Sequence, residues 1–510
     1  MLRKSFMGLF AAGVGVFAGV SSQEASAQQR FSADKKGSVL IFSKVQITWD
    51  ADTGALLQDT ILGITNEESQ GGVDVQAYFI NGDPSLEEVT DPNTGEVLQE
   101  FEPGWNTADC RFHLTKDNPI YWSAARGGGN LAPGGNNCQP FDVLDVDGPG
   151  RLSPDRQTRT LRGMVIMWAV AFDSSVVKPD GACDDGSPQG AYRPIHWNNL
   201  AGSALYINYE KGMASEVGAW AGQAQDEICV PECGIPGTPP CLPCLSLDCK
   251  IACSTETFDT GDFLPFLGQL NFDGNEYDYV FAQLLFDFYG TGGTGFSIAG
   301  VNVTLDTELT LHPALFDVRQ DGFGPPLTKA DMEIFNEFES KFSGTRRCIC
   351  CWDSTLIGSY ARTVAVPNHF LRSRLGTDKG SARITGKGSS DCDYFEQCGR
   401  EPNESLQFLC RYIWPYNCSF DFPLLGVATK LLVFSKAGAP DNRETAAMNL
   451  HGLGTWDPHH RAPAGIFHDV EYGSCGLRDA QRDAAGLDVT SGDKNVAGER
   501  TGRGSVGSGK

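Results

Sequence analysis

The chain has 510 residues and carries 40 Lys and Arg residues against 64 Asp and Glu residues, which gives a formal net charge of −24. This acidic balance argues against nucleic acid as a partner, because neutralising phosphate groups requires a basic surface. The 60 Gly and 27 Pro residues indicate many turns, and the 17 Cys residues indicate an oxidising compartment. We therefore predict a mainly all-β protein with more than one domain.

Residues 1–27 have the three successive regions of a cleavable signal peptide. Arg3 and Lys4 precede an uncharged apolar stretch at 6–20, and Ala25-Ser26-Ala27 places small residues where a signal peptidase reads the chain. The apolar stretch is shorter than the roughly 20 residues that span a bilayer. We predict cleavage near Ala27, a secreted or periplasmic location and no membrane span.

Residues 28–225 are predicted to form a β-sandwich domain. The apolar residues predicted to share one face of its first strand, opposite a polar face, are Ile41, Val45, Ile47 and Trp49. Alternation recurs at 73–79, whereas 164–172 is a continuous apolar run, as expected for a central strand covered on both faces. Turn-forming residues between these short strands are typical of a β-sandwich.

Residues 226–255 are dense in Pro and Cys and are predicted to be a disulfide-rich connector. An alternative is a zinc site, because Cys241 and Cys244 have metal-ligand spacing and Cys249 with Cys253 would complete four thiolates. Only one C-x-x-C is present in this segment, and the predicted signal peptide directs the chain to an oxidising compartment. Disulfides are therefore the preferred interpretation.

Residues 256–475 are predicted to form a second β-rich domain. Alternation at 301–311 and the apolar stretch at 424–437 predict strands. A capping-box-like start and apolar residues at helical spacing predict an inserted helix at 329–342. Residues 476–510 lack periodicity and are predicted to be a disordered tail.

The predicted fold is therefore two β-sandwich-like domains joined by a Cys- and Pro-rich connector, with one short helix in the second domain. The segment at 40–44 (LIFSK) resembles that at 432–436 (LVFSK). This similarity leaves open whether the second domain repeats the first.

The cysteines occur in clusters, and their total is odd, so at least one thiol is free or paired between chains. The connectivity does not follow from the sequence. The candidates for disulfide bonds are Cys229, Cys233, Cys241, Cys244, Cys249, Cys253, Cys348, Cys350, Cys351, Cys392, Cys398, Cys410 and Cys418.

Six segments of the N-terminal half occur in an order that resembles a known group of proteins. They are LIFSKVQITWD, DTILGITN, VQAYFING, GWNTADCRFHLTKDNPIYWSA, RGMVIMWAVA and HWNNLAGSALYINY. Over residues 36–225 the chain resembles an uncharacterised family of secreted bacterial β-sandwich proteins. The resemblance implies secretion and a β-sandwich fold, and it assigns no catalytic residue.

Acidic loops predict calcium as the best metal candidate. Asp142, Asp145 and Asp147 precede Gly148 in a turn-rich loop, as in sites for hard cations, and 273–278 has similar composition. The alternative is that both loops are acidic surface loops without metal. A transition-metal site is a weaker candidate, formed by the late histidines His451, His459, His460 and His468.

Four tryptophans could belong to a carbohydrate-binding platform or to the core, and the core is the preferred interpretation. They are Trp122, Trp168, Trp197 and Trp220.

No G-x-S-x-G, H-E-x-x-H or Walker motif is present in the sequence. We predict a non-enzymatic secreted protein with an envelope, matrix or surface-binding role, whose partner is a surface, a glycan or a protein. The alternative is an extracellular hydrolase acting on carbohydrate through an unidentified carboxylate pair, since such a pair leaves no local motif. A third possibility, a substrate-binding protein, requires a pocket between the two domains.

Overall fold

The structure is a computed structural model. It describes residues 31–68, 71–82, 89–90, 97–99, 106–127, 151–153, 155–173, 191–224, 228–231, 251–254, 270, 272, 277–291, 296–298, 300–314, 318, 327–350, 352–360, 366–388, 391–392, 422–438, 442–454 and 456. The predicted signal peptide and the predicted tail lie outside these residues. We call 31–224 the N-terminal half and 270–456 the C-terminal half.

The N-terminal half contains one sheet of eleven strands, with the order β12-β11-β2-β1-β9-β3-β6 and four further strands paired to β1, β2 and β9. The strands up to the connector are β1 (Val39–Asp50), β2 (Leu56–Asn66), β3 (Val73–Asn81), β4 (Val89–Thr90), β5 (Val97–Gln99), β6 (Asn106–Leu114), β7 (Asn118–Ser123), β8 (Arg151–Leu152), β9 (Thr158–Asp173), β10 (Ala191–Pro194), β11 (Leu200–Asn208), β12 (Met213–Gly218) and β13 (Trp220–Gly222). Strands β4 and β5 pair only with each other.

The connector and the C-terminal half are also built from antiparallel strands. Their elements are β14 (Ile228–Pro231), β15 (Ile251–Ser254), β16 (Gln283–Tyr289), β17 (Phe296–Ile298), β18 (Val301–Pro313), β19 (Leu327–Asn336), β20 (Lys341–Cys350), β21 (Asp353–Leu356), a 3-10 turn (Ile357–Ser359), α1 (Arg372–Leu375), β22 (Lys379–Lys387), β23 (Leu424–Ser435), β24 (Asn442–Asn449) and β25 (His451–Leu453). Two five-stranded sheets result, one ordered β20-β19-β22-β16-β25 and the other β17-β18-β23-β24 with β21 on β18. The all-β prediction is confirmed.

Two hydrophobic cores lie on opposite faces of the central strands of the N-terminal half. Strand β2 pairs with β1 only near their shared hairpin, so the β2 side of the sheet can fold back over β1. Between them lies an inner core that includes Leu62, Val75 and Met167. The neighbouring residues Ile166 and Trp168 point to the other face and join a second, interface core. The prediction that 164–172 is a strand covered on both faces is therefore confirmed.

The interface core contains side chains from both halves. Ile41 and Trp220 from the N-terminal half belong to the same buried cluster as Leu309, Met332 and Phe286 from the C-terminal half. The indole Nε1 of Trp220 donates to the carbonyl of Gly426 across this boundary, at 3.2 Å. The division into two domains at the connector remains a prediction, but the two halves bury apolar surface against each other.

The helix predicted at 329–342 is wrong, because these residues belong to strands β19 and β20. Ala330, Met332 and Ile334 alternate into the core, with Lys329 and other polar residues on the opposite face. The helical spacing was that of Ile334, Phe335, Phe338 and Phe342, and of these Phe338 is 78% exposed in the turn between the strands. An apolar residue in an exposed turn belongs to no buried face, so counting Phe338 as part of one produced a false helical pattern. In the described part of the chain, the only α-helix is the short α1.

Cysteine pairing is visible in part. Cys348 and Cys392, two of the predicted disulfide candidates, form a disulfide across 44 residues with a Cα–Cα distance of 5.7 Å. Cys350, another candidate, is also disulfide-bonded. Cys110 is disulfide-bonded as well, although it was not among the candidates. In the connector, β14 and β15 pair with Cys229 opposite Cys253. The remaining candidate cysteines lie outside the described residues.

Candidate functional site: a polar cleft between the halves

A β-bulge in strand β1 directs two consecutive side chains toward the C-terminal half. The register with β9 shifts between Phe42 and Val45, so Ile41 lies in the interface core whereas Val45 lies in the inner core. The predicted common face of Ile41 and Val45 is therefore wrong. At the shift, Ser43 and Lys44 both contact strand β18 of the other half. Bulges commonly re-aim side chains in this way.

Lys44 and Glu308 form the centre of a buried ion network across the two halves. The Lys44 ammonium donates to one Glu308 oxygen at 2.5 Å, while Arg162 (3.2 Å) and the Ser354 hydroxyl (2.8 Å) donate to the other. Burial opposes ionisation of Glu308, but the charges of Lys44 and Arg162 and these hydrogen bonds prevail and lower its pKa to about 2. Glu308 is therefore a carboxylate at neutral pH.

Ser43 makes the second polar contact of the bulge. Its hydroxyl lies 2.9 Å from Nε2 of His312, a fully buried histidine on β18. Burial lowers the pKa of His312 to about 4, with partial opposition from its contact with the Pro313 carbonyl. His312 is thus neutral at pH 7. Since its ring is closed off from solvent, the serine and histidine bridge the halves and offer no accessible nucleophile.

An open cleft of about 100 Å³ lies beside the Lys44–Glu308 pair. Its walls come from β1, β2, β11 and β12 on one side and from β18, β23 and β24 on the other. Most of its lining side chains are uncharged hydroxyls and amides, among them Gln46, Gln58, Thr60, Asn208, Thr429 and Thr445. Gln46 donates to Gln58 at 2.7 Å, and the partly buried Tyr206 donates to the Lys44 carbonyl at 3.1 Å.

Asp59 also borders the cleft but directs its carboxylate elsewhere. Its oxygens accept hydrogen bonds from the hydroxyl of Ser123, the last residue of β7 (2.6 Å), and from the amide of Ala125, just after β7 (3.0 Å). The next residue, Thr60, bonds to the backbone of Gln46 on the cleft side. Successive side chains of a strand face opposite ways, so the carboxyl group of Asp59 lies on the opposite face of β2 from the Thr60 hydroxyl. Burial raises the pKa of Asp59 against these hydrogen bonds.

The hydroxyl of Ser215 stands out among the groups lining the cleft. Its oxygen is buried and has no hydrogen-bond partner among the described residues. Ser215 lies directly opposite Tyr206 in the β11–β12 pair, so the two side chains share the face of the sheet that borders the cleft. An unsatisfied buried hydroxyl costs stability unless a ligand or solvent supplies a partner.

Most of the predicted metal ligands lie outside the part of the chain that the structure describes. Asp142, Asp145 and Asp147 lie outside the described residues, as do His459, His460 and His468, while His451 is exposed on β25. From the loop at 273–278, Asp278 is described, and its buried carboxylate binds Lys35 and accepts from the Gln223 amide. Within the described ranges, no group of three or more His, Cys, Asp and Glu side chains is placed to hold a metal.

The tryptophans proposed as core residues are all buried. Trp122 stacks on Phe79 in the inner core with ring centroids 4.6 Å apart, and Trp168 and Trp220 belong to the interface core. Trp197 donates to Asn66 at 3.0 Å from a buried position. These four side chains therefore do not form an exposed carbohydrate-binding platform. Tyr121, which precedes Trp122, is 64% exposed.

The cleft itself was missed by sequence reasoning. Its lining residues are common types drawn from seven strands, from Lys44 to Thr445, and no local spacing marks them. The only sequence signal is Lys44, a charged residue inside a strongly apolar strand.

No protein-family model matches the sequence, and no curated protein matches it. A solved structure of the naturally occurring empty top component of cowpea mosaic virus aligns with a TM-score of 0.12 and 9% identity, covering 88% of this chain and 98% of that chain. A TM-score this low carries no argument about fold or function. Among the described residues, no helix is both long enough and apolar enough to cross a membrane.

Proposed function

We propose that this chain is a secreted, non-enzymatic β-sandwich protein that acts by binding, in an envelope, matrix or surface role. The observation that carries the proposal is that the two carboxylates lining the cleft are already engaged by partners on different elements. Glu308 holds Lys44 and Arg162, and Asp59 anchors the segment after β7. A glycosidase requires two carboxyl groups on either side of one scissile bond, and this pair does not supply that arrangement.

The proposed location and the proposed resemblance to secreted bacterial β-sandwich proteins agree with a disulfide-containing β structure. The proposed calcium ligands Asp142, Asp145 and Asp147 would stabilise a loop and take no part in binding. Calcium is therefore a structural proposal only.

The test is to incubate the secreted protein with insoluble cellulose, chitin and peptidoglycan, and to measure both retention and release of reducing sugar. We expect retention on at least one polymer without any release. Retention on none of them would contradict a glycan-binding surface role.

A hydrolase is the second candidate, because Glu308 is ionised and Asp59 has a raised pKa on strands that line the same cleft. Sugar release that disappears in both Glu308→Gln and Asp59→Asn would establish it. We expect neither wild type nor variants to release sugar. Secretion yields matched to wild type would show that the variants fold.

A further inference from the structure

We propose that the cleft between the halves binds a small, uncharged polyhydroxyl compound, such as a single sugar unit or a polyol. This inference rests on the proposed binding function and assigns it a site and a ligand class. Hydroxyl and primary amide groups each both donate and accept hydrogen bonds, which matches the hydroxyl groups of such a ligand. The cleft presents these groups from both halves, including Gln58, Ser215 and Thr445.

The charges around the cleft favour an uncharged ligand. Glu308 is neutralised by Lys44 and Arg162, and all three side chains are largely buried. A ligand carboxylate would have to compete with Glu308 for Lys44, and a ligand amine would have to compete with Lys44 for Glu308. Breaking a buried ion pair is costly because it leaves the other charge unpaired. A neutral ligand leaves the pair intact.

The Ser215 hydroxyl is the second observation that points to a ligand. Its buried oxygen has no hydrogen-bond partner in the described part of the chain, whereas Gln46 and Gln58, which also line the cleft, bond to each other. A hydroxyl group of a ligand would supply the missing hydrogen bond. Leu431 and Ile207 add apolar surface to the walls, which suits the C–H faces of a sugar ring.

The size of the cleft limits the ligand. A cavity needs about 10–15 Å³ to hold one water molecule, which is about the size of one non-hydrogen atom of a ligand. The cleft volume of about 100 Å³ therefore holds roughly seven to ten non-hydrogen atoms. That is the size of a tetritol or of most of one sugar ring. Because the cleft is open on one side, the rest of a longer glycan would extend into solvent.

The experiment uses the full secreted chain and isothermal titration calorimetry with erythritol, xylose, glucose and galactose as probes. Glucuronate and glucosamine serve as charged counterparts. We expect saturable binding of at least one neutral probe, with both charged counterparts weaker. Absence of saturable binding by every neutral probe, or tighter binding of a charged one, would overturn the proposal.

Ser215→Ala tests the site directly. Since the hydroxyl bonds to none of the described residues, its removal should leave the melting temperature of the free protein unchanged or raised, while binding of the neutral probe weakens about fivefold. Ser203→Ala is the matched control, because Ser203 lies on the neighbouring strand and bonds to Glu216 on the exposed face. Unchanged probe affinity in Ser215→Ala would remove the cleft as the site.

Polymer retention separates the two proposals. If Ser215→Ala and wild type are retained equally on a polysaccharide while no free probe binds, surface binding stands and the cleft assignment is wrong. If free sugars bind but no polymer retains the protein, the cleft assignment stands and the surface role is wrong.

Discussion

Glu308 accepts hydrogen bonds from three side chains that arrive on three different strands, Lys44 on β1, Arg162 on β9 and Ser354 on β21. Two of these strands belong to the other half of the molecule. Removing one member of a buried ion network leaves uncompensated charge, which is more costly than losing the pair as a whole. The network is therefore a sensitive point for stability.

Glu308→Gln should lower the free energy of unfolding at pH 7 by roughly 3 kcal/mol, because Lys44 and Arg162 would remain buried without their counter-ion. Urea unfolding followed by tryptophan fluorescence measures this. Glu333→Gln is the matched control, since Glu333 pairs with Lys341 and Arg383 at a more exposed position, and its loss should cost less than about 1 kcal/mol. Equal losses in both variants would contradict a special role for the Glu308 network.

His312 predicts acid sensitivity. Its pKa is about 4 in the folded chain against 6.5 for the free side chain, so the unfolded state binds a proton more readily between these values. Stability should therefore fall by roughly 3 kcal/mol as the pH drops from 6.5 to 4. Glu308 should extend this loss of stability below pH 4.5. Its pKa is lowered to about 2 in the folded chain, so the ion network stabilises the fold only while the carboxyl group is ionised. His312→Gln should flatten the decline between pH 6.5 and 4.5, measured by urea unfolding at each pH, whereas the exposed-site control His451→Gln should leave it unchanged.

At the scale of elements, the strands with uninterrupted alternation were predictable from the sequence and the irregular ones were not. Val73, Val75 and Ala77 point inward as their period of two requires. The bulge at Ser43 and Lys44 leaves no trace in composition, because a shift of register is decided by how β1 pairs with β9. The cleft was unpredictable for a related reason, since the bulge must first place Lys44 beside a strand more than 260 residues away in sequence.

Gly163 lies opposite Val45, where β1 leaves the bulge, and also pairs with Asn81 of β3. A Cβ atom at this position would overlap the carbonyl oxygen of Ile80. Gly163→Ala should therefore separate β9 from β3 and lower the free energy of unfolding by more than about 3 kcal/mol. Melting temperature and secretion yield report the effect. Gly212→Ala is the control: a Cβ atom there would meet no described atom within 4 Å, so only its positive φ should cost stability, by about 1–2 kcal/mol. A wild-type melting temperature for Gly163→Ala would contradict the close approach.

At the scale of the whole molecule, the interface core determines how the two halves behave on heating. Ile41 and Trp168 pack with Leu309 and Trp352 of the other half, and the Trp352 indole donates to the Ser43 carbonyl at 2.8 Å. The outer face of β1 and β9 would expose this apolar surface if the halves separated. Burial of a shared core couples the unfolding of the segments that contribute to it.

We therefore expect the two halves to unfold in a single calorimetric transition, although the sequence predicted two domains. Trp122→Ala, which removes an inner-core side chain contacting Phe79, should shift the whole transition to lower temperature. Trp220→Ala, which removes an interface-core side chain, should do the same. If the halves were independent, Trp122→Ala would instead split the transition, leaving one component at the wild-type temperature. That outcome would show that the ion network and the interface core dock two separately stable domains, and the cleft would then open and close with their relative motion.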